Sequence, residues 1–263
     1  MEIATDSDNV ADRVSYIVQH ADQAVPTTVA MRCTVTEGEG GFTAMADGAP
    51  LFTEPESGRL AERLFVAIHA RVIAEMPDHV RIHAASLLHD DRMVLLVGDP
   101  HAGKSTLALR LMLDGFAVCG DELVLVHDAA AIAFPRKFYL RQGSAPLIPE
   151  LAAVEKTLPF TASPGEPRIV GLDPTVFARP WRIAPAPVGT IIYLTPDFTA
   201  PSRLAPCPRI DMVRLVMGQC TPPLSGRAGW IGDLCATVDG ARCFTLSVGD
   251  LPSAIVAIAR ALT

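Results

Sequence analysis

Gly98-Asp99-Pro100-His101-Ala102-Gly103-Lys104-Ser105 carries the spacing Gly-x4-Gly-Lys-Ser, and its flanks give that spacing a structural setting. Before it, Val94-Leu95-Leu96-Val97 is an unbroken aliphatic run that reads as a buried strand. After it, Thr106–Leu113 repeats Leu, Ala, Leu, Leu and Met at helical intervals, with Gly115 as a stop. A strand entering and a helix leaving is what a phosphate-cradling loop requires. In such a loop successive N–H groups turn inward onto phosphate oxygens, Lys104 neutralises the β and γ phosphates, and the Ser105 hydroxyl ligates magnesium. A helix starting near Lys104 adds the positive end of its dipole. The expected nucleotide set is therefore Gly98, Asp99, Pro100, His101, Ala102, Gly103, Lys104, Ser105 and Thr106, with ATP and Mg2+ as cofactors. No base-specifying motif separates ATP from GTP.

The next chemistry-bearing residues are Asp121-Glu122, a short helix and one extended segment beyond Ser105. Transporter-type ATPases place their acidic pair much further downstream, and Leu224-Ser225-Gly226 echoes their signature only faintly. A close acidic pair suits a phosphotransferase: one carboxylate holds magnesium through water, and the other accepts the proton of an acceptor hydroxyl. Adjacent residues on a strand point to opposite faces, so both acids reach one phosphate only if the strand breaks. Gly120 is the expected point of that break. The same pair also suits a solvated strand end.

The 263 residues are 49% hydrophobic and 19% charged, enough apolar surface for a sizeable core. The net charge of −7 and pI near 5.5 speak against a nucleic-acid binder with a basic face. No apolar run approaches the ~20 residues of a membrane span, and the acidic start lacks a signal-peptide layout. Six scattered cysteines with no Cys-x-x-Cys pair argue against a zinc ribbon or redox motif. The expectation is a cytoplasmic enzyme with reduced thiols.

Residues 1–76 read as a small α+β segment: a short amphipathic helix over Val10–Ala24, strands at Val29–Thr36 and Phe42–Met45, and a helix from a Ser57 cap to Glu75, stopped by Pro77. Residues 77–263 read as the main domain. Val80–Leu88 is expected to be one strand, His89–Arg92 a turn, and Phe116–Val118 and Leu123–Val126 further extended segments. Sixteen of the 22 prolines fall between Pro135 and Pro223, which predicts loops and edge strands there, with Thr190–Leu194 the clearest buried strand. Helices are expected at Asp211–Met217 and Pro252–Leu262.

Three elements in register resemble the HPr kinase/phosphorylase family, most closely its compact relatives: His83-Ala-Ala-Ser-Leu-Leu, the loop 98–105, and Gly120-Asp121-Glu122. The resemblance is firm over residues 80–126. It implies an α/β fold with a phosphate-loop core of the HPr kinase/phosphoenolpyruvate carboxykinase type, a mixed sheet and a small N-terminal lobe. His83, 15 positions before Gly98, matches the family's active-site histidine; Lys104 and Ser105 match its lysine and magnesium-binding serine. The family carries two aspartates where this chain has Asp121 and Glu122, the second being its proton acceptor. Glu122 reaches one methylene further, so either acid could be the base. An ordinary histidine beneath a strand is the alternative for His83.

Glu166-Pro167-Arg168-Ile169-Val170-Gly171-Leu172-Asp173 weakly echoes a second family signature, in which Glu166 would be a further magnesium ligand. Arg136, Lys137 and Arg141 suit phosphate stabilisation, recognition of an acidic acceptor, or a solvated edge. The implied activity is an ATP-dependent serine kinase acting on a peptide or small protein, for example a precursor peptide of a ribosomal natural product. Its competitors are a small-molecule kinase and a nucleotide-binding regulator with little turnover. Full-length family members form hexamers, which leaves room for a homo-oligomer.

Overall fold

A computed structural model describes residues 2–8, 10–11, 31–56, 59–134, 137–154, 160–161 and 169–262. The expected Ser57 cap, Arg136, Glu166 and most of the Val10–Ala24 helix lie outside those residues. The chain forms two units, one within residues 1–77 and one built on residues 78–263.

In the first unit, alternation of apolar and polar residues makes a four-stranded sheet, β1 (Glu2–Thr5), β2 (Arg32–Gly38), β3 (Gly41–Ala46) and β4 (Ala49–Glu54), in sequential order. Cys33, Val35, Phe42 and Ala44 are its buried apolar residues, two apart along each strand as the pleat dictates. The segment Glu2–Thr5 is therefore a strand, pairing in parallel with β2. α1 (Leu60–Glu75) buries Leu60, Leu64 and Ile68 at four-residue intervals, and its Arg63 meets the buried carboxylate of Glu54 at 3.3 Å.

The second unit contains β5 (Val80–Ile82), β6 (Ala84–His89), β7 (Arg92–Gly98), α2 (Lys104–Leu113), β8 (Ala117–Gly120), β9 (Val124–His127) and β10 (Ala130–Ala133). A small sheet of β11 (Phe138–Arg141), β12 (Phe160–Thr161) and β13 (Ile169–Leu172) follows, with α3 (Leu151–Val154) between its first two strands. The chain closes with β14 (Ala186–Pro196), β15 (Arg203–Pro206), α4 (Arg209–Met217), β16 (Cys220–Thr221), α5 (Trp230–Asp239), β17 (Arg242–Val248) and α6 (Leu251–Leu262).

Ten of these strands form one mixed sheet. β14 lies between β7 and β17 and runs parallel to both, whereas β6 is antiparallel to β7 and β8 antiparallel to β6. β7 is buried on both faces. Val94 and Leu96 pack in a cluster with Leu107, Leu111, Ala254 and Ile258 of α2 and α6. Met93, Leu95 and Val97 pack in a second cluster with Met212, Val216, Leu234 and Val238 of α4 and α5. This two-sided burial explains why the strand reads as a continuous apolar run rather than an alternating one.

Two expectations change. Val80–Leu88 is two strands, broken at His83, because β5 pairs with β9 and β16 while β6 pairs with β7 and β8. The proline-rich half is not all edges. Its β14, at 11 residues, is the longest strand and central, its prolines (Pro187 and Pro196) confined to the ends, where they leave the middle of the ladder intact.

Candidate active site

β7 ends at Gly98 and α2 begins at Lys104, so the five residues between them form the loop at the carboxyl end of a central parallel strand. Gly103 has φ 92° and ψ 13°, a left-handed conformation that costs glycine little, and it turns the chain into the helix. His101, at φ 70°, is the loop's other left-handed residue. An α-helix leaves its first four N–H groups without intrahelical acceptors, and no side chain caps α2. Those donors and the helix dipole converge on the space beside the loop.

Lys104 is only 7% exposed, and its Nζ donates to the carbonyl oxygens of Gly98 at 2.7 Å and Asp99 at 3.1 Å. Burial lowers its pKa; the carboxylates of Asp121 and Asp99 act in the opposite direction. Ser105 and Thr106 are half-buried in the first turn, and the Thr106 hydroxyl donates to Ser144 Oγ at 3.0 Å. Asp99 and Pro100 are exposed at the loop's outer side, Ala102 buried beneath it.

Asp121 is 4% exposed and lies within electrostatic reach of Lys104, directly past the end of β8. Glu122 is exposed and has φ 91°, a left-handed conformation unusual for a residue with a side chain. The strand therefore does end between the glycine and the acids, but Gly120 serves another purpose than the expected turn. A Cβ there would sit 2.4 Å from the Phe134 carbonyl oxygen, so its role is close approach, and the backbone reversal falls on Glu122. The buried Ser86 hydroxyl donates to Gly120 O at 3.2 Å and ties this strand end to β6.

His83 occupies the break between β5 and β6, partly buried, and its N–H donates to the Gln219 carbonyl oxygen at 2.9 Å. The Gln219 side chain in turn donates to Asp99 Oδ1 at 2.7 Å, and the Tyr193 hydroxyl lies 3.5 Å from the same oxygen. Burial first, then the Asp99 carboxylate, pushes the Tyr193 phenol up. One relay thus joins the histidine segment to the loop. Gln219 and Tyr193 were not legible as site residues; a glutamine after a helix and a tyrosine in a strand carry no motif.

Two further expected residues lie on or beside β11, which packs against α2. Lys137 is half-buried, its pKa lowered by burial against the opposing Asp173 carboxylate, and Arg141 is exposed on β11. Asp173 caps a short 3-10 turn at Pro174–Phe177, accepting from Thr175 N at 2.9 Å and from its hydroxyl at 2.6 Å. Ligand atoms of His127, Asp128 and Asp233 gather within 4.8 Å, but the Arg227 guanidinium already donates to Asp233 and lies 3.2 Å from His127 Nδ1. Arginine supplies the cation of that cluster. All six cysteines are free thiols, and no helix among the described residues is long and apolar enough to cross a membrane.

No protein-family model matches the chain, and no curated protein matches it. Among solved structures, an HPr(Ser) kinase/phosphatase from Coxiella burnetii is similar at 16% identity, over 69% of this chain and 94% of the other, with a TM-score of 0.33.

Proposed function

We propose that this chain is an ATP-dependent kinase that phosphorylates a serine hydroxyl on a peptide or small protein, a ribosomal precursor peptide being the favoured acceptor class. Residues 77–263 are the kinase domain and residues 1–76 an accessory lobe, in a cytoplasmic protein. The observation that carries this reading is the buried Lys104 at the start of α2, where no side chain caps the helix, with the buried carboxylate of Asp121 within electrostatic reach. Burying two such charges is expensive unless they act together on something.

The donor set fits magnesium-ATP. The uncapped N–H groups and Lys104 suit phosphate oxygens, and the hard oxygens of Ser105 and Asp121 suit magnesium. When bound, the magnesium nucleotide supplies the transferable phosphoryl group. Lys104 would leave its two carbonyl acceptors for phosphate oxygens, an exchange of neutral for anionic acceptors. Asp121 would hold the metal side of the site, and Glu122 or Asp121 would take the acceptor hydroxyl's proton. His83, whose backbone N–H is held by the Gln219 carbonyl oxygen, would orient the transferred group.

The test is transfer from γ-labelled ATP to serine peptides by the full chain. Label on a serine, dependent on magnesium and lost in Lys104→Ala, is expected. ATP bound tightly but never consumed with any acceptor would leave a nucleotide-binding regulator instead.

A further inference from the structure

β7 has a second end. Arg92 opens the strand and Gly98 closes it, six steps of about 3.3 Å apart, so the two ends are about 20 Å from each other. At the Arg92 end a pocket of about 390 Å³ opens among β7, β14, β17 and the start of α4. Its functional lining is Arg92, Arg209, Arg242, Thr190, Asp90 and Asp239.

The charges there are unequally matched. Arg209 faces Asp239 at 3.7 Å, and Asp90 faces His89 at 3.4 Å. Arg92 has no carboxylate partner among the described residues: its Nη2 donates to the carbonyl oxygens of Val188 at 3.3 Å and Gly240 at 3.1 Å. Those bonds fix the guanidinium in place without neutralising it. Arg242 lies 5.8 Å over the Phe244 ring, again without an ion pair among the described residues. Thr190, directly paired with Arg242 across β14 and β17, is 4% exposed, yet its hydroxyl makes no hydrogen bond among the described residues. The exposed guanidinium groups of Arg92, held by two carbonyls, and of Arg242, together with the unpartnered hydroxyl of Thr190, thus line one small cavity.

We propose that this pocket binds a small organic anion bearing a phosphate or carboxylate group together with hydroxyl groups. Guanidinium forks recognise both kinds of oxyanion in bidentate fashion. The Thr190 hydroxyl donates to the same group. Asp90 and Asp239 accept from the ligand's hydroxyls, which selects against a bare inorganic ion. The volume falls at the low end of small-molecule sites, the size of a metabolite and too small for a folded partner. The site is separate from the nucleotide loop and does not depend on the kinase reading.

Calorimetry on the full chain tests this with glucose 6-phosphate and citrate as probes. Lys104→Ala serves as the control for anions entering the nucleotide loop. At least one probe is expected to bind wild type and Lys104→Ala equally. Arg242→Gln should weaken that binding about 10-fold or more, and Thr190→Val about 5-fold. Thr190→Val is nearly isosteric and keeps the test open should Arg242→Gln fail to fold. Binding of glucose 6-phosphate alone assigns a phosphate ligand, and of citrate alone a carboxylate. The proposal is overturned if neither probe binds, or if binding survives both pocket variants and vanishes in Lys104→Ala.

Discussion

The side-chain amide of Gln219 donates to the Asp99 carboxylate at 2.7 Å, fastening the outer side of the loop to a residue 120 positions later. The Gln219 backbone simultaneously accepts the His83 N–H. Gln219→Ala removes the first bond and spares the second. The bond is solvent-exposed and contributes about 0.5–1.5 kcal/mol, so ATP affinity should fall by about 2- to 10-fold, with the melting temperature lower by a few degrees at most. Unaltered affinity in calorimetry would show that the loop holds its shape without this tether.

Lys104→Ala should abolish nucleotide binding while the fold persists. The lysine's hydrogen bonds go to loop carbonyls, not to the core, so its removal leaves both hydrophobic clusters intact. Calorimetry with magnesium-ATP, beside circular dichroism of the same sample, checks both halves. Retained affinity would remove the phosphate-loop reading.

The two acids should separate by conservative substitution. If Glu122 is the base, Glu122→Gln keeps ATP and magnesium binding but loses phosphoserine formation by about 10²–10⁴-fold. Asp121→Asn, beside Lys104, should instead raise the magnesium requirement. The reverse pattern moves the base to Asp121, and full activity in both variants leaves the reaction without a proton acceptor.

Glu122 also stores backbone strain. At φ 91° its side chain costs about 1–2 kcal/mol that glycine would not incur, so Glu122→Gly should raise the melting temperature by a few degrees. Transfer activity should fall in the same protein. A lower melting temperature would mean that the Glu122 side chain contributes more to stability than its conformation costs.

Alkaline pH should unfold the protein early. Burial pushes the thiols of Cys119 and Cys220 up to about 12 and that of Cys243 to about 11, from an ordinary 9.0. Burial likewise takes Tyr139 from 10.0 to about 12. Each folded group resists ionisation that the unfolded chain permits, so their contribution is complete below pH 9 and is lost between pH 9 and 12. Urea midpoints at pH 8 and pH 10.5 measure it; an equal or higher midpoint at pH 10.5 would contradict the assignment.

The strand, loop and helix over residues 92–113 were legible because β7 is buried on both faces and α2 on one, and each leaves its own periodicity. The break at His83 was not, since Ile82 and Ala84 are both buried and apolar continuity conceals a change of pairing partner. α5 and β17 carry no phosphate chemistry or proline punctuation and escaped notice, although β17 flanks the sheet's central strand. Gly120 drew attention to the right place for the wrong physical reason. A glycine's need for space depends on what approaches it, here Phe134 from fourteen residues away, and local sequence does not record that.

The register of β14 bears on how this protein comes into being. Leu194 pairs with Gly98, and Leu194 pairs in turn with Leu246 on its other side. The strand that presents the loop is therefore held by a partner synthesised nearly a hundred residues later, and that partner awaits another fifty. Loop closure over such spans must be met before any ladder rewards it, which makes parallel pairings of this kind slow. A ribosome-bound chain that has not yet released residue 248 carries the whole loop sequence but an incomplete sheet beneath it. Nucleotide affinity should appear late in translation and abruptly, as a property of the finished sheet.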